Sequence, residues 1–542
     1  MTQTITPFAS VADLAWIPVL TSDGIRTRVG LREALARAHQ FTGLDTDSPV
    51  ELSTLNRFLP AVAALVVREM GGSPSAGHLD AVAVDAVLDR HADVLFMRHP
   101  DTPFAQEWQH DPATGSKAAS PIATLRFESP GASSKEWKVR GALSARWMPE
   151  MDLGVIALHV LCHWFHSVGG NAQSLHSGVR ALNGSIGSRT GNDLALFWRG
   201  RTLADTILAN TPKEWVRGDG LPAFLDRRGN TRGAIEGLHP LWAMTYAPNA
   251  VLLDWDGDEV NGYRSGGSQW GLHGVRTSDE GADTKSESKE LLEARRQLLF
   301  ALKCEDPARI WHTEAKADGT VTPVLYTKLS ADQAPLVRLR EWYLANGSRA
   351  LTKSNRLLRS VMPPNLAKEG WALEFYTAKI EPGTSTKIVD VAWFACDPAE
   401  LDFDDPRANL ILAVAGDANN LASAARTALT AKGGPLEHSS DTVEKSLRGD
   451  LEARFYTLAE DACRLVIGEV AEGHDPAQEL RDALATCAIK AFDEATERFM
   501  SGSNVAPVIR LRQSFRAKAR RLVRPTVNTT PTTPTDTEKE AA

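Results

Sequence analysis

DFDDPRANLILAVAGDANNLASAARTALTAKGGP, residues 402–435, marks the change in character that decides the fold reading. Before Asp402 the chain mixes helical patterns, extended apolar runs and glycine-rich loops. After it, Ala408–Ala431, Asp441–Glu472, Pro476–Met500 and Val505–Val523 are each helical by composition and period. Turn signals separate them: Gly433-Gly434-Pro435, then Gly473-His474-Asp475-Pro476, then Ser501-Gly502-Ser503. Four helices joined by short loops predict an up-down bundle. The Asp475-Pro476 pair reads as a helix N-cap with proline at the first helical position. Residues 525–542 are rich in threonine and proline with almost no apolar content, and read as a disordered tail. The expected architecture is α+β: a large mixed N-terminal domain over 1–401, a four-helix bundle over 402–524, and the tail.

Upstream, Leu14–Leu20 (LAWIPVL) reads as a strand, Gly24 as a turn, and a helix is expected from Gly30 to about Gln40. Pro49–Met70 is helical, with Leu55, Phe58, Leu59, Val62 and Val66 at three- and four-residue steps and Pro60 as a candidate break. A helix over about His78–Arg90 leads to the compact LFMRHPDTPFAQ motif, Leu95–Gln106. A polar loop is expected over 128–146. Glu150–His166 is the strongest helix of this half, with Leu153, Ile156, Ala157, Val160, Leu161 and Trp164 as its apolar stripe. Ser167–Asn192 is dominated by glycine and serine, a pattern of functional or disordered loops. Leu373–Phe394 reads as a β-hairpin turning at Glu381-Pro382-Gly383-Thr384, with Val389–Phe394 as a buried strand.

Composition narrows the function. With 43% hydrophobic and 24% charged residues in 542, the chain is globular and long enough for at least two cores. The unbroken apolar run Ala61–Val67 has seven residues, against the roughly 20 of a membrane span, so no membrane role is expected. The first 30 residues lack a cationic start followed by an apolar run, so no secretory leader is expected. Five scattered cysteines without a C-x-x-C pair fit a reducing cytoplasm, the expected location, and argue against a zinc ribbon. The net charge of −8 excludes a generally basic coat protein, so any nucleic-acid role must use local patches. The last helix carries one: Arg510, Arg512, Arg516, Lys518, Arg520, Arg521 and Arg524, with no acidic residue from Val505 to Arg524. Fourteen tryptophans read first as core filling.

Catalytic signatures are sparse. His159, Cys162, His163 and His166 share one helix and offer the one candidate metal face, which would make the chain a metal-dependent hydrolase. The segment lacks the glutamate of a zincin, and packing already claims its stripe. Asp254, Asp256 and Asp258 begin like a calcium loop, but Glu259 and Ser265 stand at its sixth and twelfth positions. His110-Asp111 and His474-Asp475 resemble the pairs of metal-dependent phosphohydrolases, but both are followed by proline, and Asp475-Pro476 reads better as an N-cap. No P-loop, G-x-S-x-G or dinucleotide fingerprint occurs, so neither cofactor nor catalytic site is expected.

The order of motifs resembles the CasA family, the large subunits of the type I-E CRISPR surveillance complex Cascade. The resemblance rests on Trp16-Ile17-Pro18-Val19, on Leu95-Phe96…Arg98-His99-Pro100…Pro103-Phe104-Ala105-Gln106, and on Phe165-His166-Ser167-Val168-Gly169-Gly170. It continues through Phe197-Trp198-Arg199-Gly200…Thr202-Leu203…Thr206-Ile207-Leu208…Asn210. It implies a non-enzymatic subunit that recognises a protospacer-adjacent motif in double-stranded target DNA and helps open the duplex for guide RNA. The implied partners are the other Cascade subunits, the guide RNA and a helicase–nuclease. It assigns motif binding to Val168, Gly169, Gly170 and Asn171, where the two glycines, lacking side chains, let backbone approach bases. It assigns the wedge to Glu381, Pro382, Gly383 and Thr384; opening costs about 1.4 kcal/mol per base-pair step. Arg295 and Arg296 fall where the family has a minor-groove basic residue. Lys135, Trp137, Lys138 and Arg140 fall in its complex-anchoring loop. Arg516, Arg520 and Arg521 would contact a DNA strand. Three departures stand out: no cysteine lies between Cys162 and Cys304, residues 182–190 are inserted, and Glu381 and Thr384 replace the usual wedge amides.

Overall fold

A computed structural model of the chain describes residues 7–72, 74, 78–106, 119–126, 151–166, 193–226, 230–231, 238–247, 249–267, 306–309, 311–315, 321–325, 334–346, 360–362, 370–381, 387–396, 405–430, 436–437, 441–501 and 505–523. Its strands are β1 (Phe8–Ser10), β2 (Ile17–Thr21), β3 (Arg26–Val29), β4 (Phe41–Leu44), β5 (Phe96–Arg98), β6 (Ser120–Pro121), β7 (Asp193–Arg199), β8 (Asn249–Asp256), β9 (Glu259–Gly267), β10 (Trp311–Ala315), β11 (Val321–Leu325), β12 (Ala372–Glu381) and β13 (Lys387–Cys396). Its α-helices are α1 (Leu31–Ala36), α2 (Pro49–Glu69), α3 (Ala81–Arg90), α4 (Leu153–His166), α5 (Leu203–Ala209), α6 (Lys213–Val216), α7 (Pro240–Thr245), α8 (Pro335–Asn346), α9 (Asp405–Thr430), α10 (Asp441–Ala471), α11 (Gln478–Glu497) and α12 (Val505–Leu522). Two compact units emerge, residues 1–331 with 341–402, and 332–340 with 403–542. The 332–340 segment, half of α8, belongs to the second unit, a long-range return that no local pattern announces.

In the first unit the sheets are small and antiparallel: β3-β2-β4, β6-β9-β8, β13-β12-β7, and the pairs β1-β5 and β10-β11. The core is organised around α2. Ser48 caps it by accepting from the Glu51 N–H, with Pro49 at the first position. The helix then runs on through Pro60, and Ser53–Val67 are buried on every side. By length and a mean hydropathy of 1.4 it has the character of a membrane span, contrary to the sequence expectation, but protein covers 89% of that window. α4 is likewise buried nearly all round rather than along one stripe, because α2 and β8 both pack on it. The rings of Trp16, Phe58, Phe104, Phe224 and Phe165 interlock at centroid distances of 4.9–6.4 Å. Trp16, Trp198 and Trp242 are fully buried, in line with core filling.

The motif residues at 95–106 prove to be scaffold. Phe104 fills the core, and Gln106 is buried, donating from Nε2 to the Met97 carbonyl (2.6 Å) and accepting the Leu253 N–H (3.1 Å). Arg98 lies over Phe8 and Trp255 and pairs with Asp258 at 2.9 Å. The acidic run Asp254–Asp258 forms the tight end of the β8–β9 hairpin, where Gly257 takes φ +60°.

One ion pair crosses this core. Arg57 of α2 and Asp306 are both almost fully buried and meet at 3.0 Å. Asp306 also accepts the Ala308 N–H at 2.9 Å, and the Ala308 carbonyl accepts from Leu196 of β7 at 2.7 Å. The guanidinium lies 5.6 Å over the ring of Phe197, also on β7. The pair thus ties the sheet β13-β12-β7 to the central helix.

In the second unit the four long helices fall close to their expected bounds. α10 meets α9 through Tyr456–Asn419 (3.0 Å) and Arg426–Glu452 (2.9 Å). It meets α11 through Arg454–Glu494 (2.6 Å), and α11 meets α12 through the tilted ring pair of Phe492 and Phe515 (4.4 Å) and Arg512–Glu497 (2.7 Å). α10 ends in a Schellman motif: Gly473 has φ +87°, its N–H donates to Val470, and the His474 N–H donates to Glu469. α11 starts later than expected. Its N-cap is Ala477, without a side-chain cap, while Asp475 turns toward Arg481. Burial pushes the Cys463 thiol up to about 12, so it is an inert core group.

Removing Asp306 strands two buried guanidiniums, those of Arg57 and Arg309. Asp306→Ala should lower stability by about 3–5 kcal/mol, read as a shift of the first transition in urea unfolding. Because Arg309 also pairs with Asp306 at 3.4 Å in the core, only the triple variant Arg57→Met, Asp306→Leu and Arg309→Met should lose clearly less.

Candidate nucleic-acid interface

β12 and β13 form the hairpin read from the sequence. Leu373 pairs with Cys396, and the ladder runs out to Ile380–Ile388 and Glu381–Lys387. On its other side β12 pairs with β7 from Ala372–Arg199 to Ala378–Asp193. Past Ala378, β12 has only β13 as a strand partner among the described residues. The last three residues therefore extend as a two-stranded ribbon about 10 Å beyond the sheet. A register shift between Lys379 and Ile380 marks the start of that ribbon, a device that adds local twist.

The root of the ribbon is held firmly. Phe375 and Tyr376 are buried, and Trp393 stacks on Phe197 at 5.7 Å with planes 7° apart. Trp393 is half-buried rather than fully enclosed. Glu374 pairs with Arg199 at 3.2 Å. Burial pushes its carboxyl above the usual range, opposed by Arg199 and the Trp393 indole. β7 is locked to α5: Asn210 donates to the Trp198 carbonyl (2.6 Å) and accepts its N–H (2.9 Å), while Thr202 and Asp205 form a capping box. Gly200 is required by close approach, since a Cβ there would lie 2.2 Å from that of Asp205. The Phe197–Asn210 motif is thus a clamp on the hairpin sheet.

The ring of His166, the last residue of α4, lies 5.3 Å from that of Tyr376. The helix that leads into the glycine loop therefore ends against the hairpin strand, about 17 Å along β12 from Glu381. Val168, Gly169, Gly170 and Asn171 lie outside the described residues, as do Pro382, Gly383 and Thr384 at the hairpin tip. So do Arg295, Arg296, Lys135, Trp137, Lys138 and Arg140.

The basic helix α12 is sorted by the structure. Val508, Phe515 and Ala519 form its buried face. Arg516 is committed to Asp493, and Arg512 to Glu497 and Thr496. Arg510, Lys518, Arg520 and Arg521 are exposed and make no ion pair among the described residues. Sequence reasoning overcounted the patch because the acids that neutralise it sit on α11.

The family described as CRISPR-associated protein Cse1 matches residues 11–327, more than half of the chain. The chain belongs to the Cse1 family. A CasA/Cse1 protein of Thermus thermophilus is 34% identical over 109 residues, 18% of this chain and 20% of that relative's length. The fold is also that of solved Cse1 structures. Thermus thermophilus CasA (Cse1) superimposes with TM-score 0.60 at 17% identity, covering 95% of this chain and 99% of that one. Cse1 from Acidimicrobium ferrooxidans gives 0.61 at 18% identity, covering 96% and 100%. A chain of a CRISPR RNA-guided surveillance complex gives 0.64 at 19%, covering 95% and 100%.

The histidine-rich helix of this Cse1-family chain does not converge on a metal. His159 faces Glu51 at 3.5 Å, Cys162 accepts from Thr54 at 3.4 Å, and His166 packs on Tyr376. Among the described residues no three His, Cys, Asp or Glu side chains gather as ligands. His163 keeps an edge near the surface, but its Nδ1 is enclosed, and loss of water lowers its pKa to about 4. The fold thus holds a neutral imidazole, whereas the unfolded chain takes up a proton below about pH 6.5. The resulting stability is complete above that value and falls as pH drops toward 4, by at most about 3 kcal/mol. His163→Phe should match the parent in urea unfolding at pH 7 and lose less between pH 6.5 and 4.5.

Proposed function

We propose that this chain is the large subunit of a type I-E Cascade complex, acting without catalysis in the cytoplasm. In this reading it inspects double-stranded DNA for a protospacer-adjacent motif, helps open the duplex for guide RNA, and recruits a helicase–nuclease. Membership of the Cse1 family supports the assignment to Cascade. The observation that carries the mechanism is the clamped ribbon β12–β13 with the end of α4 packed at its root.

Val168–Asn171 would present backbone to the base edges of the motif, and Glu381–Thr384 would stand at the first base pair beyond it. A wedge needs stiffness more than particular chemistry, because pairing with guide RNA nearly balances the loss of DNA pairing. The aromatic stack of Phe197 and Trp393 supplies that stiffness. Arg295 and Arg296 would read the minor groove, and Lys135, Trp137, Lys138 and Arg140 would seat the subunit in the complex. We read α9–α12 as one up-down bundle module whose strand contact rests on Arg520 and Arg521, with Arg516 contributing less because Asp493 holds it. Residues 1–401 then form the recognition domain.

The test is reconstitution with guide RNA and the other Cascade subunits, followed by target-binding kinetics. Replacing Gly169 and Gly170 with bulkier residues, or shortening Glu381–Thr384, should slow opening of an intact duplex. A target already mismatched over its first pairs should fully rescue the shortened hairpin and only partly rescue the glycine variant. Equal impairment on both targets would assign the hairpin a purely structural role. Arg520→Ala with Arg521→Ala should flatten the slope of log affinity against log salt by about one unit per lost phosphate contact, while hairpin shortening leaves it unchanged.

A further inference from the structure

Most arginines of the first unit are answered by carboxylates. Arg28, Arg32, Arg57, Arg90, Arg98 and Arg264 each meet an aspartate or glutamate. Arg68, in the last turn of α2, is not. Its Nε donates to the Val216 carbonyl and its Nη2 to those of Trp215 and Gly220, all at 3.0 Å. Its Nη1 makes no hydrogen bond among the described residues. Asp219 acts on it through space without forming an ion pair, and burial pushes its pKa down. A half-buried guanidinium held rigidly by three carbonyls, with no counter-charge in contact, is costly for a fold to keep.

This cation lines a cleft of about 510 Å³ at the C-terminal end of α2. Lys213 and Arg217, at either end of α6, line it too, and no carboxylate does. Both are exposed and neither makes an ion pair among the described residues. Gly71 and Gly72 complete one wall with φ +79° and +91°. Their N–H groups are already spent on Arg68 and Val67, so recognition would rest on the three side chains. The volume lies within the roughly 300–1,000 Å³ of small-ligand sites. Three cations of different reach, one fixed and two flexible, suit the several oxygens of a phosphate better than one carboxylate.

We propose that this cleft binds a phosphate-bearing ligand of nucleotide size, with Arg68 as its fixed donor and Lys213 and Arg217 closing over it. The site is separate from the hairpin: Arg68 lies eleven residues beyond Arg57, about 16 Å along α2. Its test is therefore independent of the role proposed for the ribbon.

The full chain is titrated by calorimetry with pyrophosphate, with ATP and with a 5′-phosphorylated oligouridylate at constant salt. Binding of at least one is expected, weakened about tenfold or more by Lys213→Ala with Arg217→Ala. Both residues are exposed, so that variant should keep the parent melting temperature. Arg68→Lys is the second variant, keeping the charge but losing the fork, and should also weaken binding. Equal affinity for ATP and the oligonucleotide would identify a free nucleotide as the ligand source. A tenfold preference for the oligonucleotide, lost in the double variant, would identify nucleic-acid phosphate. No binding of any probe, or binding unchanged in the double variant, overturns the proposal.

Discussion

The buried contact between Arg57 and Asp306 sets the terms for the first unit. A charge inside protein is tolerable only when its partner is positioned and its remaining donors or acceptors are used. Asp306 meets that demand with Arg57, Arg309 and the Ala308 N–H. Arg57 meets it partly through the face of Phe197. Because Ala308 bonds to β7 and Phe197 belongs to β7, satisfying one ion pair fixes a strand against the central helix. The hairpin inherits its placement from that strand.

The same logic explains why the residues that carry the family resemblance are mostly not the residues that would touch DNA. Gln106 bridges Met97 and Leu253, Asn210 brackets Trp198, and Gly200 admits Asp205. Each solves a problem of buried backbone polarity or close approach. Such problems recur wherever the fold recurs, so their solutions are visible as motifs. The loops that would read a ligand leave weaker marks in a sequence.

What the sequence disclosed follows from the range of the interactions involved. The helices of the second unit were legible because alanine- and leucine-rich periodicity and glycine turns are local signals; Asp441–Ala471 falls within a residue of its expected end. The hairpin was legible because Glu381–Thr384 is a turn sequence between two extended runs. The all-round burial of α4 was not, since a stripe was read where two neighbouring elements share the helix. Asp475 was misplaced as a cap because Ala477 starts the helix two residues later. Arg57 and Asp306, 249 positions apart, carry no mutual signal in a single sequence. The commitment of Arg516 to Asp493 likewise depends on two helices meeting, which periodicity alone does not give.

The register of β12 has a mechanical meaning. Six of its residues, Leu373–Ala378, are gripped by β7 on one side and β13 on the other, while the last three have β13 alone among the described residues. That is a beam built in at one end and free at the other. The stiffness of such a beam falls with the cube of its free length, so a few residues of overhang resist bending far better than a long loop of the same composition. Force applied to the paired end of the ribbon would pass through Trp393 and Phe197 toward the central helix, on which Phe197 rests through Arg57. The short overhang turns a surface hairpin into a lever whose fulcrum is the edge of its own sheet.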